Sequence, residues 1–201
     1  MRRLRVLTTT AAATGALALA GCAAPGSDAP EPFTGDVACP EVLPQPSPAE
    51  HGLGPHEPAS SVPDLAAFDA AWLCTYVTAD TGEPDPDGGA LYGWVLADGP
   101  AEIPADRLPD VEAALEGLEV PEPMRACTSD LGPRHLLMTG SGDTTTGIAV
   151  DDYGCRDVRL TDDAWAVAPG ESEDPDLVPG VLQGSGELIE TLLDAAGVSR
   201  Y

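Results

Sequence analysis

The side chains that could do chemistry in this chain are few. There are five cysteines: Cys22, Cys39, Cys74, Cys127 and Cys155. There are three histidines, two of which, His51 and His56, stand close together beside Glu57. Two imidazoles and a carboxylate suit a transition metal. Their setting is rich in proline and glycine, however, and nothing there dictates a rigid backbone, so no metal site is assigned. His135 opens an apolar stretch and reads as a surface or edge residue rather than a base. The run DTGEPDPDGG places Glu83, Asp85 and Asp87 at alternate positions ahead of Gly88. Oxygen ligands at that spacing are what a calcium loop needs. The closing carboxylate position falls on Trp94, and two prolines stiffen the run. These three acids are therefore candidates for weak cation binding only, on a solvated hairpin loop.

Catalytic signatures are missing. Gly-Ser turns occur at TGSGD and QGSGE, but no Ser lies in a nucleophile-elbow pattern. No glycine-rich phosphate loop precedes a helix, and the many carboxylates do not single out an acid–base pair. No catalytic residue and no cofactor are expected.

Four of the cysteines read as two disulfides. Residues 134–140 and 144–152 look like strands joined by a tight turn at Ser141-Gly142-Asp143. A turn centred between residues 141 and 142 places Cys127 and Cys155 across from one another just beyond the ladder. Cys39 then pairs with Cys74 and staples the proline-rich segment 40–63 to the first strand. Zinc is disfavoured, because structural zinc ligands come in close pairs and these cysteines stand far apart.

The elements that must hold these residues follow from periodicity. FDAAWLCTYV (68–77) alternates Phe68, Ala70, Trp72, Cys74 and Tyr76 on one face and reads as a strand. ALYGWVLA (90–97) is a second strand, joined to the first by an acidic loop from Asp80 to Gly89. Over 107–118, Leu108, Val111, Leu115 and Leu118 recur at helical spacing, with Pro109 in the first turn. CRDVRLT reads as continuing the last strand of the hairpin over 134–152, and an acidic loop follows from about Pro169 to Pro179. The last helix carries Leu188, Ile189, Leu192 and Leu193, with Ser185 as N-cap and Gly197 as C-cap. The fold class expected is α+β: a small antiparallel sheet of two hairpins with two packed helices, disulfide-braced, with long Pro/Gly-rich loops.

Cys22 stands apart from the other thiols. Arg2, Arg3 and Arg5 precede an uncharged run from Val6 to Ala20, which has the length of an export signal rather than a membrane span. Leu19-Ala20-Gly21-Cys22 resembles the lipobox of bacterial lipoproteins, and the layout is similar to small secreted actinobacterial lipoproteins of unknown function. The resemblance implies a diacylglycerol on the Cys22 sulfur, with acyl chains enough for stable anchoring. It also implies cleavage just before Cys22. The organisation expected is a signal peptide over 1–21, a lipidated cysteine and flexible tether over 22–38, and one domain over 39–201.

Charge excludes some partners. The chain has 34 acidic residues against 9 basic ones, a net charge of −25. Removal of the leader takes three of the arginines with it. Such a surface repels nucleic-acid phosphates and anionic headgroups, so the membrane is reached only through the lipid anchor. The function expected is a non-catalytic binding or accessory role on the extracytoplasmic face of the cell membrane, toward an envelope protein or a small ligand. The alternatives are an envelope hydrolase with an unfamiliar site or a weak calcium-binding module.

Overall fold

The computed structural model describes residues 32–46, 56–65, 67–84, 89–128, 130–174 and 176–200. Eight principal elements follow one another: β1 (Ala70–Pro84), β2 (Ala90–Glu102), α1 (Leu108–Leu115), β3 (Arg134–Ser141), β4 (Thr144–Asp151), β5 (Asp157–Thr161), β6 (Leu182–Gln183) and α2 (Gly186–Ala196). The strands form one sheet in the order β2-β1-β3-β4-β5-β6, and every pairing is antiparallel. The fold is thus α+β, as the sequence implies. The chain leaves β2 at the sheet edge and passes through α1 to β3 on the far side of β1.

Both faces of the sheet are covered, by different means. On one face Leu73, Leu137, Ile148, Val150, Val158 and Leu160 meet α1 and α2 through Val111, Leu115, Leu188, Ile189 and Leu192. The helical stripes read from the sequence are therefore the buried ones. Ser185 caps α2 by accepting the Leu188 N–H at 3.0 Å, and Gly197 ends it in the left-handed conformation at φ 66°. The opposite face carries Trp72, Cys74, Tyr76, Trp94, Leu136 and Met138. Among the described residues no helix lies there; residues 33–43 cover it instead, through Phe33, Cys39 and Leu43. The Trp72 indole donates to the Ala38 carbonyl and the Tyr76 hydroxyl to that of Pro40, each at 2.8 Å. Leu43 N–H and Leu96 N–H extend the cover onto β2 through the carbonyls of Trp94 and Glu41.

Among the described residues, packing therefore reaches back to Phe33, within the stretch read as a tether. Phe33 N–H donates to the Asp69 carboxylate, and its ring lies 5.5 Å from that of Trp72. Gly140 admits this contact, because a Cβ there would sit 2.5 Å from the Phe33 ring. Phe68 also departs from expectation: it precedes β1 and packs with the helix-side cluster, away from Trp72.

Both disulfides form as expected, Cys39–Cys74 with Cα atoms 6.0 Å apart and Cys127–Cys155 at 4.8 Å. The β3–β4 turn sits one residue later than its expected centre. Its two central residues are Gly142 and Asp143, between the facing pair Ser141 and Thr144. Gly142 takes φ 60°, the demand a two-residue hairpin makes of its first position.

Candidate functional site

A cleft of about 550 Å³ opens at the end of the sheet formed by the β3–β4 turn. One wall is the hairpin itself, through Thr139, Ser141 and Asp143 to Thr146. The segment before β1 supplies Asp64, Leu65 and Phe68, and the loop after β5 supplies Asp162, Asp174, Asp176 and Leu177. Leu115 of α1 and Ile148 of β4 also line it. The site therefore joins apolar walls to a carboxylate-bearing rim.

Local hydrogen bonds hold these walls in shape. Thr144 Oγ1 donates to the Ser141 carbonyl at 2.9 Å, and Thr139 Oγ1 to the Thr146 carbonyl at 3.3 Å. In the opposite loop Ser172 Oγ donates to Asp162 at 2.5 Å, while Asp176 N–H donates to Asp174 Oδ1 at 2.8 Å. Such a cleft attracts a cation through its rim and accepts an aliphatic or aromatic body between Leu65, Phe68 and Leu177.

His135 is placed otherwise than expected. It is not at the surface but almost fully buried in β3, the third strand of the sheet, where it faces Thr75 on β1 and Val150 on β4. Both faces of that strand are covered, so no position along it is a solvent position. Nδ1 lies 3.1 Å from Thr75 Oγ1, and Nε2 is buried without a hydrogen-bond partner. Donation by Nδ1–H to Thr75 leaves Nε2 as a bare acceptor, which costs less than a buried unpaired N–H. Burial pushes the imidazole pKa down, Asp152 and Asp151 oppose that, and Arg200 reinforces it.

The charged residues of the opposite face form a chain inside the protein. Asp151 accepts Arg134 Nε at 2.6 Å and Arg159 Nη1 at 2.7 Å, with all three side chains at most 4% exposed. Arg159 continues to Asp157 at 2.8 Å, and Arg125 closes on the same carboxylate. The Arg134 guanidinium sits 4.5 Å over the Trp94 ring, which stacks on Tyr153. Burial alone would raise the Asp151 pKa; the Arg134 and Arg159 guanidiniums outweigh it and hold the carboxyl below its ordinary range. The arrangement is saturated with internal partners, and we read it as structural.

The other expected sites are dispersed. β1 runs through Pro84, so the expected loop from Asp80 is shortened and Glu83 becomes an exposed strand residue. Asp85 and Asp87 lie outside the described residues, as do His51 and Cys22. His56 and Glu57 are exposed, and the Glu57 carbonyl is taken by Val181 N–H. Among the described residues no three His, Cys, Asp or Glu side chains converge as a metal site, and no helix is long and apolar enough to cross a membrane. The cleft itself was not foreseen. Its acids come from three segments distant in sequence, and the only local hint was the hydroxyl-rich run Thr144-Thr145-Thr146 beside the turn.

Fold and site together define a disulfide-braced α+β domain with an acidic, apolar-walled cleft at one end of its sheet. No protein-family pattern matches the chain, and comparison with curated proteins and with solved structures finds no similar molecule.

Proposed function

We propose that this chain is a lipoprotein of the extracytoplasmic membrane face, held by acyl chains on Cys22. We further propose that its domain binds, without transforming, a ligand that joins a positive charge to an apolar body. The cleft carries this reading: carboxylates on the rim, aliphatic and aromatic side chains within, and walls held by their own hydrogen bonds. A lysine or arginine side chain, with its apolar stem and charged head, has that shape. The net charge of −25 adds a long-range field that gathers cations.

The test uses the full lipidated chain in nanodiscs of zwitterionic lipid, titrated calorimetrically with a peptide of alternating lysine and leucine. Its glutamine–leucine counterpart is the control. The lysine peptide binds, and D64N with D143N weakens it several-fold. E112Q with E116Q removes equal charge elsewhere and leaves binding unchanged. Equal loss in both double variants would show a diffuse charge effect and refute the cleft. Intact-mass analysis of native material gives a diacylglyceryl Cys22 as the new N-terminus; an unmodified thiol there refutes the anchor.

A further inference from the structure

We infer that the cleft works at the membrane surface, on a lysine- or arginine-bearing extracytoplasmic loop of a protein embedded in the same bilayer. The inference rests on the anchor and the cleft proposed above and adds the place and the partner.

It follows from where the chain joins the domain. Thr34 N–H donates to the Gly142 carbonyl at 3.0 Å, and the Phe33 ring covers Gly140. Phe33 N–H is fixed by the carboxylate of Asp69. Gly140, Ser141 and Asp143 belong to the turn that walls the cleft, and Ala67 and Phe68 line its other side. The N-terminal end of the domain and the mouth of the cleft therefore share one end of the sheet. Cys39–Cys74 and the Trp72 and Tyr76 hydrogen bonds lock the following residues, so this end does not shift along the domain.

The distance to the anchor is short. The chain from Cys22 to Phe33 reaches at most about 38 Å. A domain of this length is about 40 Å across. Even at full stretch this length is only about that of the domain, and the end that bears the cleft is the end joined to the anchor. The occupant follows from charge. The acidic rim repels anionic headgroups, so the cleft does not seat on lipid, and it favours cationic side chains held within the same thin layer. Confinement of both partners to that layer raises their effective concentration, so modest contacts suffice.

The experiment places the full lipidated chain in vesicles of neutral lipid, with a transmembrane peptide carrying one lysine–leucine loop. The loop stands either directly above the bilayer or on a long rigid helical spacer, and proximity is read by energy transfer. Loop recruitment is at least ten-fold stronger at the low position. A long Gly/Ser insertion between Pro30 and Glu31 removes that preference while leaving binding of the soluble lysine–leucine peptide unchanged. Equal recruitment at both heights, with soluble-peptide binding intact, overturns this inference alone. Loss of soluble-peptide binding from the cleft overturns the cleft reading with it.

Discussion

Replacing Asp151 by Asn tests whether the buried charge chain is what secures the aromatic face. The carboxylate accepts one hydrogen bond on each oxygen, from Arg134 at 2.6 Å and from Arg159 at 2.7 Å. Asn keeps the volume but turns one acceptor into a donor that faces a guanidinium. Both buried arginines then share one acceptor at this position and lose the Asp151 charge, while Arg159 still holds Asp157. Breaking a buried pair in this way costs about 3–5 kcal/mol, a large part of the 5–15 kcal/mol that holds a typical domain together. Urea denaturation followed by tryptophan fluorescence measures it, as a fall in midpoint with an unchanged slope. The comparison is Arg107→Ala, whose partners Asp110 and Asp194 are 59% and 76% exposed and whose loss barely moves the midpoint. Exchanging Arg134, Asp151 and Arg159 together for Met, Leu and Met recovers most of the D151N loss, because no unpaired charge is left behind. The pH dependence has a definite sign. The folded Asp151 carboxyl lies below its unfolded value of 3.8, so its contribution is full above that value and disappears as pH falls through the folded pKa. A D151N loss of under about 1 kcal/mol, the level of an exposed pair, would refute the reasoning.

His135 gives a second pH effect in another window. Its folded pKa is below the ordinary 6.5, so the unfolded chain takes up the proton first and stability falls as pH drops below 6.5. The loss reaches at most about 1.4 kcal/mol by pH 5.5, and H135Q removes that slope; a slope that survives H135Q counts against burial as its cause. The disulfides differ in exposure, since Cys74 is fully buried whereas Cys127 is exposed. Graded reduction with alkylation therefore opens Cys127–Cys155 before Cys39–Cys74, and removal of either bridge costs about 3.5–4 kcal/mol on the chain-entropy model. Simultaneous reduction of both, or peptide mapping that recovers a Cys39–Cys127 link, contradicts the arrangement.

The elements legible in the sequence were those whose burial writes a local period. α2 shows its apolar stripe, its serine cap and its glycine stop within one short run, and α1 shows Leu108, Val111, Leu115 and Leu118. The β3–β4 hairpin was legible from its turn, and an error of one residue in the centre left Cys127 and Cys155 on the same side. What was not legible depends on partners far away in sequence. β6 is only Leu182–Gln183, defined by pairing with β5 and by a bridge to Glu119. β1 continues through Thr81, Gly82 and Glu83, the last two poor in strand propensity, because β2 pairs with it that far. Arg134, His135, Asp151 and Arg159 read as solvated positions by type. They are buried because both faces of the sheet are covered, one by the helices and one by a second layer, residues 33–43, that overlaps the segment which composition alone marks as a tether.

That second layer accounts for where the few aromatic side chains are spent. The helix-side core is almost wholly aliphatic, whereas Phe33, Trp72, Tyr76, Trp94 and Tyr153 gather on the opposite face. A helix satisfies its own backbone, so it can lie on leucine and valine. An irregular segment cannot do so, and its buried carbonyls need donors from the surface beneath. Indole and phenol supply both apolar area and a donor at the tip. Trp72 reaches Ala38 and Tyr76 reaches Pro40, while the Cys39–Cys74 bridge lies between those two contacts. Burial pushes the Tyr76 pKa up, which keeps its hydroxyl a donor at any physiological pH. The segment that leads from the N-terminus is thereby built into the sheet as a layer of the domain.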